Sequence, residues 1–472
     1  MIPVVAVDEM QAIDAEAPEP VDVLVARAGA AVARTAREML GGTYGRVVTV
    51  VCGPGNNGAD GRVAGEILAG AGAGVRVHRF DVAGAHAAVP RCDLVIDAAF
   101  GTGFHGEWSP PDVGDVPVLA VDIPSGLDGN TGVATGAVLT ARRTVTFAAL
   151  KPGLLLGDGP RRSGRVDVVD IGLDVSRASA HVVTGSDVAE WVTGRSPDAH
   201  KWSAAVRVVA GSPGMTGAAY LSSHTAMRAG AGMVQLSSPG MEPGDIEAPV
   251  EVVTTALPAE DWADEVLDSL RRFGALVVGP GLGRADATVA GVLDLIARAS
   301  VPALIDGDGL HALAQHPQGP VAALRDRRAA SVLTPHDGEF RQLTGHESGD
   351  DRLAAARQLA VDTGAVVLLK GPVTVTAAPD GAALFVANGD DRLATAGTGD
   401  VLSGIVGALL AAGLAPLPAA AVGAWVHAES SRHGPRRGLV AGDLPDAVPL
   451  VLAELSRRDS VRSVRNSVPE FS

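Results

Sequence analysis

Aromatic residues are scarce in this chain, at 3%, while hydrophobic residues reach 47% and glycines number 59. Cores must be packed from Val, Leu and Ala between many glycine turns, which suits α/β layers better than a β-sandwich. Cysteine is nearly absent. Cys52 and Cys92 can form neither a disulfide framework nor a zinc set, and they fit a reducing cytosol. Positive charge is in deficit, with 38 Lys and Arg against 54 Asp and Glu, a net charge of −16. That argues against a general nucleic-acid binder or a binder of anionic membranes, and leaves room for a local basic pocket. The first eleven residues hold no basic cluster, so no secretory signal is expected and a cytoplasmic location is. Residues 401–426 lack any charge, a run long enough to test as a membrane span. Pro416, Pro418 and the Ala/Gly content favour two buried helices instead.

What the chain does contain is organised around Ala396-Gly397-Thr398-Gly399-Asp400 and the apolar run that follows. Glycines let a backbone approach closely and take φ > 0. The first turn of the helix then offers unpaired N–H groups and the positive end of its dipole, a ready site for an anion. Asp400 stands where a hydroxyl attacking a phosphate needs a base. The plainer reading is a tight turn with an N-capping Asp.

The length, 472 residues, suggests two or three domains. Residues 8–40 read as helix, with Leu24, Ala28, Ala31 and Val32 at helical spacing. Val47-Val48-Thr49-Val50-Val51 reads as a strand buried on both faces of a parallel sheet. It feeds Gly53-Pro54-Gly55-Asn56-Asn57-Gly58-Ala59-Asp60-Gly61, then a helix and a strand, which is a Rossmann-like βαβ unit. The loop is either an Asn/Gly turn with an N-capping Asp or a source of oxygen ligands and amides. Further strands end at Asp97, at Gly101-Thr102-Gly103-Phe104, at Asp122 and Ser125, and at Lys151. Open α/β sheets place their ligands along such a rim. Residues 166–171 look like an edge strand, and the domain boundary falls near 180–198.

A second α/β series follows. Its strands end at Gly211, at Gly279-Pro280-Gly281-Leu282-Gly283, at Asp306-Gly307-Asp308, at Thr334-Pro335-His336-Asp337-Gly338-Glu339, and at Lys370-Gly371-Pro372. Residues 373–376 and 383–386 read as a hairpin. Lys370 can meet a nucleotide phosphate as a point charge, and His336 is a donor on the same rim or a turn residue. Asp306 and Asp308 can hold a ribose hydroxyl or a metal, or cap a helix.

Residues 1–185 resemble the NAD(P)H-hydrate epimerase domain. The stretches that carry this are Gly-Pro-Gly-Asn-Asn-Gly-Ala-Asp-Gly, Asp-Ala-Ala-Phe-Gly-Thr-Gly-Phe, Asp-Ile-Pro-Ser-Gly-Leu-Asp and Lys-Pro-Gly-Leu. Residues 195–455 resemble the ADP-dependent NAD(P)H-hydrate dehydratase, of ribokinase-like fold. There the stretches are His-Lys, Gly-Pro-Gly-Leu-Gly, Thr-Pro-His-x-Gly-Glu, Leu-Lys-Gly and Ala-Thr-Ala-Gly-Thr-Gly-Asp-Val-Leu-Ser-Gly-Ile. The implied fold is a Rossmann-like three-layer domain (1–190) followed by a ribokinase-like α/β domain (195–456), with 457–472 expected to be a disordered tail. Ala59 and Ala396 stand where the family usually has Gly, and Asp337 where it usually has Pro.

The resemblance implies a potassium ion held by Asn57, Asp97 and Ser125. It implies epimerase substrate contacts from Asn56, Asn57, Gly58, Ala59, Asp60, Gly101, Thr102, Gly103, Phe104, His105, Gly106, Glu107 and Asp122, with Asp122 and Lys151 as acid–base groups. For the dehydratase it implies substrate contacts from Gly283, His336 and Asp400. ADP with Mg²⁺ would be bound by Lys370, Gly371, Pro372, Val373, Thr374, Gly397, Thr398 and Gly399, with Asp400 as catalytic base. The implied activity is repair of hydrated NADH and NADPH (NADHX and NADPHX) by a homo-oligomer, with neither nucleic acid nor membrane as partner. The alternative is a ribokinase-like small-molecule kinase joined to a non-catalytic ligand-binding module.

Overall fold

The structure is a computed structural model that describes residues 1–79, 88–104, 106, 108–134, 136–325 and 327–466, with the side chains of 77–79 and 458–466 excepted. His105 and Glu107 therefore lie outside the described residues. The chain divides into two compact units, residues 2–180 and residues 181 onward together with Met1.

The first unit is built on six parallel strands: β1 (Val47–Cys52), β2 (Gly74–Arg79), β3 (Leu94–Ala98), β4 (Val118–Val121), β5 (Arg143–Phe147) and β6 (Arg165–Val169). Their order is β2-β1-β3-β4-β5-β6. Strands β1, β3 and β4 are almost wholly buried, as continuous Val/Leu/Ile runs in a covered parallel sheet must be. The helix read over 8–40 is in fact two, α1 (Val7–Ala15) and α2 (Val21–Leu40). Pro18 and Pro20 lie between them, and proline breaks a helix by removing a donor and clashing with the preceding turn. Helix α2 buries Leu24, Ala28, Ala31 and Val32 and stops at Gly41 in the left-handed conformation. Helix α3 (Asn56–Gly70) begins inside the Asn-Asn loop. Ala59 donates its N–H to Gly55 as ordinary helix and has no positive φ, so it fits a place where the family usually has glycine. Gly58 has no such freedom to change, because a Cβ there would overlap the Gly53 carbonyl.

Two short devices aim the rim. Asp122 (φ 67°) and Ala148 (φ 61°) are left-handed, which is costly for residues with a Cβ. Each sits in a three-residue turn: Ile123 N–H donates to Val121 O at 2.9 Å, and Ala149 N–H to Phe147 O at 2.7 Å. The chain is thereby turned sharply at the ends of β4 and β5, just where Asp122 and Lys151 are needed. After the second turn comes the one-turn helix α4 (Pro152–Leu155).

The second unit holds β7 (Ala205–Val209), β8 (Met233–Ser237), β9 (Val253–Thr254), β10 (Ala275–Val278), β11 (Ala303–Ile305), β12 (Ser331–Leu333), β13 (Val366–Leu369), β14 (Thr374–Ala377) and β15 (Ala383–Val386). Their order is β15-β14-β13-β12-β11-β10-β7-β8-β9. Strands β7 to β13 pair in parallel, and β13-β14-β15 are antiparallel. Helices α5 (Thr216–Arg228), α6 (Asp308–Ala314), α7 (Asp337–Thr344), α8 (Arg352–Thr363), α9 (Thr398–Ala411), α10 (Pro416–Ser430) and α11 (Leu444–Asn466) complete the parts used below. The uncharged run 401–426 is α9 and most of α10, both core helices of this unit. Among the described residues no helix is long and apolar enough to cross a membrane. Helix α11 enters the segment 457–472 that was expected to be a tail, and residues 467–472 lie outside the described residues.

Candidate active sites

In the first unit the carboxyl ends of β1, β3, β4 and β5 open onto a cleft of about 730 Å³. Asn56, Asn57, Asp60, Gly101, Thr102, Gly103, Phe104, Asp122 and Lys151 all line it. Gly58, Ala59 and Gly106 do not.

The centre of the cleft is an ion pair. Lys151 is buried, and its Nζ donates to Asp122 Oδ1 at 2.7 Å, to Thr146 Oγ1 at 2.9 Å and to the Phe147 carbonyl at 3.1 Å. All three ammonium protons are thus used. Asp122 Oδ2 faces Gly101, where a Cβ would stand 3.2 Å from it and 3.6 Å from Asn57 Cγ. A glycine at 101 lets these side chains gather.

Two further carboxyls share the space. Burial, with the charges of Asp122 and Asp14 adding to it, pushes Asp60 up to about 8. Asp60 therefore keeps its proton at neutral pH. Asp14, from α1, lines the same cleft, and burial raises it too against the pull of Lys151. Sequence reading missed Asp14. Its one signal is a carboxylate one turn from Met10, a buried apolar residue of the same helix.

Asp97 and Ser125 lie behind the rim, both fully buried. Ser125 donates to Asp97 through its hydroxyl (2.6 Å to Oδ1) and its N–H (2.9 Å to Oδ2). The Phe100 N–H donates to Ser125 Oγ at 2.9 Å. No cationic side chain pairs with Asp97 among the described residues, and burial raises its carboxyl above the usual range. Both polar atoms of the Asn57 amide are buried without a hydrogen-bond partner.

In the second unit the Gly-Thr-Gly-Asp stretch enters α9 as expected. Gly397 is left-handed (φ 89°) at the N-cap, and Thr398, Gly399 and Asp400 form the first turn, whose amides have no acceptor within the helix. The Thr398 hydroxyl is turned inward, donating to the Leu393 and Thr395 carbonyls. It closes the loop and is not presented to a ligand.

Beneath this loop lies a second ion pair. Lys370 Nζ, at the end of β13, donates to Asp306 Oδ1 at 2.9 Å and lies 3.5 Å from Glu339 Oε2. Ser403, one turn into α9, donates to Asp306 Oδ2 at 2.7 Å. A Cβ on Gly399 would stand 3.6 Å from Lys370 Nζ and 3.7 Å from Asp306 Oδ2. Burial opposes both charges, but each stabilises the other: Lys370 is held above and Asp306 below its ordinary range. Asp306 is thus neither a cap nor a free metal ligand. Asp400 has no such partner. Burial, reinforced by Asp306, pushes it up to about 7.

The other expected residues are distributed around this centre. His336 caps α7, its Nδ1 accepting from the Gly338 and Glu339 N–H groups at 3.0 and 3.2 Å. In the neutral ring that assigns the proton to Nε2, which lies 3.6 Å from Glu339 Oε2 on a largely exposed side chain. Gly283 gives its N–H to Asp308 Oδ2 at 2.8 Å, and Arg284 Nε donates to Oδ1 at 2.8 Å. Asp337 does not leave a bare negative charge on the rim, because Arg352 Nη1 donates to it at 2.6 Å. Two residues that sequence reading passed over sit below. His427 of α10 is buried, hydrogen-bonded to the Thr398 backbone and pushed by burial down to about 4, so it is neutral. Ser403 fixes Asp306. Their signals are a Ser within the apolar run that follows Asp400 and a His at the end of the apolar run of α10. Among the described residues no group of three or more His, Cys, Asp or Glu is placed to hold a metal ion.

Comparison with known proteins gives two domain matches. The NAD(P)H-hydrate dehydratase family matches residues 206–449, and the YjeF-related protein N-terminus matches residues 21–88 and 80–153. The chain is 36% identical over 497 residues to the bifunctional NAD(P)H-hydrate repair enzyme Nnr of Moorella thermoacetica, covering 92% of this chain and 93% of that one. It is 40% identical over 411 residues to the protein of the same name from Mycobacterium tuberculosis, covering 81% and 82%. Among solved structures, the ADP/ATP-dependent NAD(P)H-hydrate dehydratase of Bacillus subtilis, co-crystallised with ATP and Mg²⁺, is 29% identical. It superposes with a TM-score of 0.50 over 58% of this chain and 97% of that chain.

Proposed function

This chain belongs to the bifunctional NAD(P)H-hydrate repair enzymes, and from that premise we propose how its residues divide the work. NADH and NADPH hydrated at C6 of the nicotinamide ring lose their hydride chemistry. The first unit interconverts the R and S hydrates. The second dehydrates the S form at the expense of ADP, giving NAD(P)H, AMP and phosphate.

In the second unit Asp400 takes the proton of the C6 hydroxyl as that oxygen attacks the terminal phosphorus of ADP. The first-turn amides of α9 face the developing charge on the phosphoryl oxygens. AMP departs as the C6 O–P bond forms. The C6 oxygen then leaves as phosphate, driven by the lone pair of the ring nitrogen, and loss of a C5 proton gives the ring double bond of NAD(P)H. Mg²⁺ supplies charge neutralisation on the phosphates when bound. The observation that carries this reading is Asp400 itself: a carboxyl at the N-terminus of α9, tuned to about 7 beside the Asp306–Lys370 pair. A general base works best when its pKa lies near the operating pH. Lys370 to Thr374 and Gly397 to Gly399 hold the nucleotide in this reading, and Gly283 and His336 hold the hydrate.

In the first unit Asp122 and Lys151 are the acid–base pair, and Asn56, Asn57, Asp60 and residues 101–104 hold the substrate. Potassium fits the residues behind the rim. Asn57 offers a buried amide oxygen without a partner, Asp97 a carboxylate without a counter-charge, and Ser125 a hydroxyl bonded to that carboxylate. The ion supplies a fixed positive charge there. A cytoplasmic location and a homo-oligomeric state belong to the same reading, and light scattering of the purified chain tests the second. The test of the division of labour is turnover of each hydrate epimer by Asp400→Asn and Asp122→Asn, with the two activities read separately.

A further inference from the structure

Arg352 is the first residue of α8, behind Asp351, whose side chain accepts from the Ala354 N–H at 2.9 Å. A cation in the first turn of a helix is opposed by the dipole. This one is held there by what its guanidinium spans. Nη1 donates to Asp337 Oδ1 at 2.6 Å, and Nη2 donates to the Lys370 carbonyl at 2.7 Å. Ser348 also donates to Asp337 Oδ1, at 2.8 Å, and so holds the acceptor in place. Gly371 lies flat against the guanidinium, since a Cβ there would stand 2.8 Å from Nη2. The group is mostly buried, with 15% of its side chain exposed.

Asp337 directly follows His336, and Lys370 opens the segment 370–374. Beyond the pairing of β12 with β13, the two strand ends share Lys370 N–H to the Pro335 carbonyl at 2.9 Å and the 3.5 Å approach of Lys370 Nζ to Glu339 Oε2. Both act through the N–H and side chain of Lys370. Arg352 adds a tie to the Lys370 carbonyl, through the ion pair, and so fixes the peptide that leads into Gly371. We infer that Arg352 is a positioning residue of the dehydratase half. It sets the Lys370–Gly371 turn against the His336 turn, so that the nucleotide and hydrate contacts are presented in one fixed arrangement.

This rests on the nucleotide reading of residues 370–374, and calorimetry separates the two. ADP with Mg²⁺ is titrated into wild type, Arg352→Gln, Arg352→Lys and Asp337→Asn, and steady-state KM and kcat are measured with the S hydrate. Thermal melting verifies that each variant is folded. Arg352→Gln is expected to weaken ADP binding and raise KM about tenfold, the scale of one lost charge-assisted hydrogen bond, while kcat at saturation stays within about twofold. Arg352→Lys can reach one acceptor but not both, and falls between. Asp337→Asn keeps the Lys370 tie and changes ADP binding less than Arg352→Gln. If folded Arg352→Gln binds ADP as wild type does, or loses kcat at unchanged KM, the inference is overturned. Wild type that binds no ADP overturns the nucleotide reading itself, and the role of Arg352 with it.

Discussion

Lys151 Nζ lies 2.7 Å from Asp122 Oδ1; Asp122 is itself the left-handed centre of one turn, and Lys151 follows another, whose left-handed residue is Ala148. Backbone strain of this kind persists only where the surroundings over-determine it, and it gathers at functional sites. Here it brings an ammonium and a carboxylate from adjacent strand ends together inside a cleft. Asp122→Asn and Lys151→Met are each expected to reduce epimerisation by about 10²–10⁴ while leaving dehydration of pure S hydrate within about twofold. Chromatographic separation of the R and S hydrates over time, with phosphate release from the S form, checks both.

Asp400 should govern the pH dependence of dehydration. Its carboxyl is raised to about 7, and only the ionised form can take a proton. The kcat/KM for the S hydrate is therefore expected to climb about tenfold per pH unit below 7 and to level off above. Asp400→Asn removes the limb along with about 10²–10⁴ of the rate and leaves epimerisation intact. A pH–rate series on both activities of the same preparation reads this.

Asp60 makes a prediction about stability. Its folded carboxyl, at about 8, binds a proton more tightly than the unfolded one at 3.8. The folded state therefore holds the extra proton between those values, and stability is lost as pH rises from about 4 to 8. Asp60→Asn removes that loss. The gain in melting temperature over wild type should be small near pH 4 and grow steadily to pH 8. A gain independent of pH would mean the carboxyl is not displaced.

The cation site is tested by stability as well. Wild type should melt higher in potassium chloride than in tetramethylammonium chloride of equal ionic strength, because an ion held by Asn57, Asp97 and Ser125, as proposed, would stabilise the native state alone. Asn57→Leu should abolish the difference.

The strands and the loops at their ends were legible because buried parallel strands are written as unbroken Val/Leu/Ile runs and because Gly-rich loops punctuate them. Val47 to Val51 and Gly397 to Asp400 are the clearest cases. The break between α1 and α2 was legible too, in Pro18 and Pro20, but the helical spacing on either side masked it. What sequence could not give is pairing across distance. Lys370 reads as a free phosphate-binding charge until Asp306, 64 residues away, is seen to hold it. Asp337 reads as an exposed negative charge until Arg352 reaches it. His427 lies among the apolar residues of α10 and Asp14 is one of three acidic residues of α1, and only the packing of those helices tells which cleft they face.

The most direct measurement is incubation of the purified chain with S-NADHX, ADP and Mg²⁺. Phosphate, AMP and the near-ultraviolet absorbance of the dihydronicotinamide are followed together. The account predicts that all three appear in equal amounts, and that with Asp400→Asn all three slow together by about 10²–10⁴. A stable phosphorylated product without recovered absorbance would make the second unit a kinase and contradict the account.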